Sequence, residues 1–208
     1  MTTGNLFIIS APSGTGKSFL LKLLLKNNKL KFNIKLSISY TTRIKRIGEI
    51  NNKDYFFISK KKFQKMIINN EFLEYAKVFG NYYGTPKKNI KNILKDNTDI
   101  FLNIDWQGAK QVRKKISQVC SIFILPPSIK ELYRRLNLRG KDHIDIINKR
   151  MLQSKKEIYH FYEYDYLIIN NNINDAIFDL KNIIYAEHLK IKKQFNIYNI
   201  FINKLLNE

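Results

Sequence analysis

The eight residues Ala11-Pro12-Ser13-Gly14-Thr15-Gly16-Lys17-Ser18 constrain the fold of this chain more than any other segment. A short apolar run, Leu6-Phe7-Ile8-Ile9, precedes them, and a leucine-rich helical pattern from about residue 18 to residue 28 follows. Strand, glycine-bearing loop and helix in that order present main-chain N–H groups to an anion. Gly14 and Gly16 permit the backbone angles that turn those groups inward, and the helix N-terminus adds its own. Lys17 is then placed to reach the β- and γ-phosphates of a nucleoside triphosphate, and the Ser18 hydroxyl to bind Mg²⁺. The phosphate-loop pattern begins with Gly, where Ala11 stands here. The flanking strand and helix supply the context that the one missing glycine leaves open.

A strand of that buried kind belongs to a largely parallel sheet with helices on its faces. Further apolar runs at 100–102, 121–125 and 166–169 have the same character, and a second strand is expected over about 34–39. Ile129, Leu132, Tyr133 and Leu136 mark an amphipathic helix by their spacing, with Arg134, Arg135 and Arg139 expected to follow it. Residues 41–84 read differently: a strand over 54–58, a short helical face at Phe63, Met66 and Ile67, and an aromatic hairpin from Phe72 to Tyr83. The end of the chain is helical from about Ile173, and no chemistry is assigned to it.

The net charge of +20 invites a nucleic-acid reading. Only seven of the 37 basic residues are Arg, however, and Lys, Ile and Asn fill about two-fifths of the chain. The basic residues are spread along it, so a solvated Lys-rich surface is expected, with no nucleic-acid partner. No apolar run reaches the roughly 20 residues of a membrane span. The N-terminus lacks a basic leader, and the one cysteine, Cys120, cannot form an internal disulfide. The expectation is a cytoplasmic protein without membrane attachment; a homo-oligomer is left open.

After the second strand come Arg43 and Arg46, two guanidiniums on one loop that suit one phosphate. Then follow Lys53-Asp54-Tyr55, Phe72-Leu73-Glu74, Asn81-Tyr82-Tyr83-Gly84-Thr85, Ile104-Asp105-Trp106-Gln107-Gly108 and, much later, Arg135 to Gly140. In this order, from about Leu6 to Asn170, the motifs resemble guanylate kinase, a family that phosphorylates GMP from ATP. The resemblance implies an α/β domain. Its parallel phosphate-loop sheet core spans about 1–40, 86–133 and 160–208. A small mixed GMP-binding insertion covers about 41–85, and a helical lid about 134–159.

The resemblance also assigns residues. Arg43, Arg46, Tyr55 and Tyr83 match the clamp on the GMP phosphate; Ser39, Glu74 and Thr85 match the guanine pocket; Asp105 matches an acid beside GMP. A carboxylate suits guanine, which offers N1–H and a 2-amino group side by side. Residues 11–18 with Arg135, Arg139 and Asn170 match the ATP site. Lys17, Arg43, Arg139 and Arg150 form the implied catalytic set, with Mg²⁺ accompanying ATP at Ser18. Position 103 usually carries an acid in the family, and Asn stands here. Four of the seven arginines fall within 134–150, and without phosphates Arg139 and Arg150 are expected to stand apart from Lys17. Trp106 reads as packing, and His143, His160 and His188 as surface or helix histidines without ligand spacing.

Overall fold

All five residues of β1, Leu6–Ser10, are buried. The two-residue side-chain period divides them: Phe7 and Ile9 enter one apolar cluster, Leu6 and Ile8 another. Such a strand must run through the middle of a sheet covered on both faces. The computed structural model, which describes residues 3–26, 30–88, 90–138 and 144–208, places it there. β7 (Thr98–Asn103) and β8 (Cys120–Leu125) flank β1, and β2 (Asn33–Leu36) and β9 (Tyr166–Ile169) take the edges. All pairings are parallel, in the order β2-β7-β1-β8-β9.

Helices α1 (Lys17–Lys26) and α7 (Ile173–Leu189) cover one face, where Leu20, Leu24, Leu180 and Ile184 meet Phe7 and Phe101. The rings of Phe7 and Phe101 stack with centroids 4.6 Å apart. Truncating either to Ala would cost about 3–5 kcal/mol, since that space cannot collapse. Helices α3 (Ile90–Lys95) and α4 (Trp106–Lys115) cover the other face through Ile90, Ala109 and Val112.

The second sheet comprises β3 (Tyr40–Thr41), β4 (Phe56–Phe57), β5 (Phe72–Val78) and β6 (Asn81–Pro86), in the order β4-β3-β6-β5. The strand expected over 54–58 is thus shortened to two residues, because Asp54 turns back to accept the Ile50 N–H at 2.9 Å. The β5–β6 turn holds Phe79 and Gly80 at φ of 47° and 80°, the left-handed geometry of a two-residue hairpin loop. Helix α2 (Lys60–Ile68) packs Phe63 and Met66 against Phe72 beneath this sheet.

Helices α5 (Ile129–Leu138) and α6 (Ile144–Ile158) pair through Leu132, Leu136 and Ile147. Arg134 and Arg135 lie within α5, not after it; Arg139, Gly140 and His143 fall outside the described residues. Helix α8 (Ile191–Asn207) buries none of its residues. Among the described residues no helix is long and apolar enough to cross a membrane.

His188 is a helix histidine, in α7, but not a surface one. It is buried, stacks on Phe32 and brings Nε2 to 2.8 Å from Asp99 Oδ2. Asp99, fully buried, also accepts the Asn5 N–H at 2.6 Å, so the pair ties the N-terminus, β7 and α7 together. His160 stacks on Trp106 at 3.8 Å, which is the packing role expected of that tryptophan. Cys120 is a buried thiol whose pKa burial pushes up.

Candidate functional site

The loop after β1 opens at the carboxyl edge of the sheet, where α/β proteins bind ligands. Gly14 and Gly16 sit at φ of 101° and 100°. A Cβ on Gly16 would lie 2.7 Å from Asn170 Nδ2, so backbone and packing both exclude a side chain. Lys17 Nζ donates to the Ile104 carbonyl at 3.1 Å. Burial lowers the Lys17 ammonium to about 8, while the Asp105 and Glu157 charges pull it back up. At neutral pH it remains a cation between two carboxylates, ready to exchange them for phosphate.

Arg135 and Asn170 hold the loop from behind. Arg135 Nη1 and Asn170 Nδ2 donate to the Thr15 carbonyl at 3.0 and 2.7 Å, and Arg135 Nη2 donates to the Asn170 carbonyl at 3.0 Å. Glu131 accepts from Arg135 Nε at 2.8 Å. Both residues therefore stand beside the loop, and neither lines the cavity in front of it.

Across that cavity Glu74 projects from β5 and is 3% exposed. Thr85 Oγ1 donates to Glu74 Oε1 at 2.5 Å, and Ser39 Oγ lies 3.3 Å from Thr85 Oγ1. The three residues expected around guanine are thus one hydrogen-bonded group. Burial pushes the Glu74 carboxyl up to about 7, with the Asp105 charge adding to it and the Thr85 bonds opposing.

Asp105 caps α4 by accepting the Gly108 N–H at 2.9 Å. Gly108 has no room for a side chain, because its Cβ would come within 2.4 Å of Glu74 Oε2. Gly108→Ala is therefore expected to push the carboxylate aside. Guanine nucleotide affinity should fall at least roughly tenfold, about the value of a hydrogen bond to a charged group. MgATP affinity should hold, and calorimetric titration of each nucleotide checks both.

Arg43 is held by Glu49 in a bidentate pair, Nη2–Oε1 at 2.7 Å and Nη1–Oε2 at 3.0 Å. Glu49 also accepts the Arg46 N–H at 2.8 Å, so one carboxylate orients both arginine positions. Burial alone would lower the Arg43 guanidinium, but the neighbouring Glu49 and Tyr83 side chains hold it above its usual value. Its Cζ lies 5.6 Å from the Tyr55 ring centroid, and the Tyr55 and Tyr83 rings meet edge-on at 6.0 Å. Burial raises the Tyr55 phenol, which keeps it a hydrogen-bond donor at neutral pH. The Gly48-Glu49 pair in the sequence carries no assigned role of its own. The position of Glu49, three residues beyond Arg46 on the same loop, was the available signal.

The loop and the side bearing Glu74 and Arg43 open on one cavity of about 960 Å³. Asn103 and Asp105 line it between the two ends, and Arg150 and Glu157 enter it from α6. Arg150 is 8% exposed and shares this cavity with Lys17. Asp105 and Glu157 face the same cavity and offset part of its positive charge; Arg139, the other arginine expected to stand apart from Lys17, lies outside the described residues. Glu157 was missed in the sequence, although it lies two helical turns from Arg150 and so on the same face of α6.

Among the described residues no cluster of three His, Cys, Asp or Glu side chains could hold a metal ion. Ser18, Asn103 and Asp105 line the cavity and offer a hydroxyl, an amide oxygen and one carboxylate. That set fits Mg²⁺, which keeps several waters and takes substrate phosphates in place of an all-protein cage.

The family model described as guanylate kinase matches residues 3–187. The chain is 57% identical, over the full length of both proteins, to the guanylate kinase of Buchnera aphidicola subsp. Baizongia pistaciae. It is 50% identical to that of Salmonella typhimurium, over 99% of each chain. A crystal structure of guanylate kinase from Anaplasma phagocytophilum superposes with a TM-score of 0.75 at 35% identity, covering 92% of this chain and 89% of the other. Sequence and fold match along essentially the whole length of the chain: this protein is an enzyme of the guanylate kinase family.

Proposed function

We propose that the protein transfers the γ-phosphoryl group of ATP to GMP, giving ADP and GDP, and serves guanine nucleotide recycling in the cytoplasm. The observation that carries this reading is the buried Glu74 carboxylate facing the phosphate loop across one cavity. Guanine presents N1–H and its 2-amino group as two donors for that carboxylate. Adenine has an acceptor at N1 and no 2-amino group, so it would leave a buried charge unpaired, at a cost of about 1–3 kcal/mol or more.

In this reading Arg43, Arg46, Tyr55 and Tyr83 hold the acceptor phosphate, whose oxygen attacks the γ-phosphorus as the bond to the β-phosphate oxygen breaks. The acceptor phosphate, with a second pKa near 6, is mostly ionised at neutral pH and needs no general base. The chain's task is to place two nucleotides in line and neutralise their charge. Lys17 and the loop N–H groups serve the donor, with Arg150 above it. Arg139 joins them on the strength of the resemblance. Mg²⁺, bound with ATP and touching the Ser18 hydroxyl, would supply further charge neutralisation. Asn103 can accept a hydrogen bond from a metal-bound water but offers no charge. Asn103→Glu is accordingly expected to lower the Mg²⁺ concentration for half-maximal rate, and superimposable titrations would remove the residue from this role.

The raised Glu74 carboxyl gives a pH signature. A folded pKa above the unfolded value stabilises the protein at pH below about 4.5, and that contribution is lost as pH rises through about 7. Ligand affinity runs the other way, because only the carboxylate pairs with two guanine donors. Guanosine, which has no phosphate to titrate, should bind more tightly as pH rises from 5.5 to 8. A flat profile would detach Glu74 from the base.

The deciding experiment is ADP formation from MgATP with GMP, AMP, dTMP and UMP offered separately. GMP is expected to lead by a wide margin. Equal rates would end the guanine reading while leaving the phosphate loop intact.

A further inference from the structure

β5 is an edge strand of the second sheet, paired with β6 on one side only. Main-chain groups on such a strand point alternately to its two sides, so every second residue lacks a strand partner. Tyr75 is one of these. Its N–H donates to Gln111 Oε1 at 3.2 Å, and its carbonyl accepts from Gln111 Nε2 at 2.7 Å. The Leu73 carbonyl accepts from Lys115 Nζ. Gln111 and Lys115 lie four positions apart on α4, about 6 Å along the helix. Leu73 and Tyr75 span about 6.8 Å of strand. The match lets one face of α4 stand where a further strand would pair. Gly108 belongs to the same face, and its missing side chain makes room for Glu74 Oε2.

Glu74 lies between the two anchored residues. The β5–β6 register shifts between Phe72 and Glu74, where two residues of β5 oppose one of β6. A bulge of this kind re-aims the side chains around it, so pairing with β6 does not by itself fix where Glu74 points. Thr85 bonds only one of its oxygens, Oε1. The direction of the other is left to the backbone.

We infer that Gln111 is a positioning residue for base selection: by bonding both main-chain groups of Tyr75 it fixes the bulged stretch of β5 and so the aim of Glu74. This rests on the reading of Glu74 as the carboxylate that pairs with guanine. Two donors of one base must be met at once, and hydrogen bonds weaken steeply as they bend. Water could satisfy the same groups of Tyr75, but it would leave the strand free to shift. The helix that carries Gln111 opens at Asp105, which lines the cavity. One rigid element therefore sets Glu74 relative to the phosphate-loop side.

Gln111→Met keeps the length and helix preference of the side chain and removes both hydrogen bonds. In the full-length enzyme it should raise KM for GMP roughly tenfold, on the scale of two hydrogen bonds, and cut the GMP-to-AMP preference by a similar factor. KM for ATP, and kcat at saturating GMP, should stay within about twofold, a split that general destabilisation does not produce. Combined with Glu74→Gln, it should lower the preference by no more than about twofold beyond Glu74→Gln alone, because it acts through that carboxylate. Amide exchange reads the tie without catalysis. The Tyr75 N–H should exchange at least roughly tenfold more slowly than that of Lys77, two residues along the same edge, and the difference should vanish in Gln111→Met. Should Gln111→Met not fold, Gln111→Ala takes its place with the same expectations.

A wild-type GMP preference in Gln111→Met, a KM for ATP that rises in step with that for GMP, or equal exchange at Tyr75 and Lys77 in the wild type would each overturn the inference. A silent Glu74→Gln would overturn the base reading of Glu74 and this inference with it. A costly Glu74→Gln whose effect multiplies with that of Gln111→Met overturns the coupling alone.

Discussion

Lys17→Ala is expected to reduce phosphoryl transfer by about a thousandfold while GMP affinity stays within about twofold of wild type. The magnitude follows from removing one preorganised charge aimed at the transferring group in a site shielded from water. Lys17 is fixed at the loop: Nζ donates to the Ile104 carbonyl at 3.1 Å, and the charges of Asp105 and Glu157 act on it. The acceptor pocket does not depend on it, since Glu74, Thr85 and Ser39 bond to one another and Arg43 to Glu49. Single-turnover kinetics with excess enzyme, beside calorimetric titration of GMP, separate the two effects. A GMP affinity that falls in step with the rate would place Lys17 on the acceptor side and contradict the assignment.

Glu74→Gln is expected to cut the GMP-to-AMP preference by a factor on the order of a thousand, below the roughly 10⁴–10⁵-fold discrimination of a site built to hydrogen-bond its substrate, because the amide keeps one acceptor oxygen. A glutamine amide brings its own N–H₂ against the two donors of guanine and tolerates the N1 acceptor of adenine. The fold should survive, because Thr85 Oγ1 can still donate to the amide oxygen in the place of Oε1. The pH dependence of guanosine binding should vanish in the same variant, since the titrating carboxyl is gone. Comparing kcat/KM for GMP and AMP measures the first effect. An unchanged ratio would move the guanine contact to another residue.

Several features of the protein could be read one segment at a time. The phosphate loop is such a feature, because strand, glycines, lysine and helix are contiguous and their requirements are local. Phe7 and Ile9 against Leu6 and Ile8 announce a buried central strand by alternation alone. The hairpin of β5 and β6 is visible in its aromatic residues and the glycine of its turn. For the acceptor pocket, Glu74 and Thr85 are eleven positions apart, and the strand pairing that brings them together is itself a local hairpin. The ordered motifs named the pocket for that reason.

Contacts between distant segments were another matter. His188 looked like one more helix histidine until α7 brought it to Asp99, 89 positions away. The resemblance places Arg135 and Asn170 on the ATP side. The fold sets both on the Thr15 carbonyl, because α5 and the end of β9 pass behind the loop. Glu157 is 140 positions from Lys17, and nothing in its neighbours announces a buried carboxylate. The physical reason is common to all three. Backbone conformation and apolar periodicity depend on nearest neighbours along the chain, so they are written in short stretches of sequence. The partner of a buried charge depends on which elements the packed sheet and its helices bring face to face, and burial then makes that partner decisive.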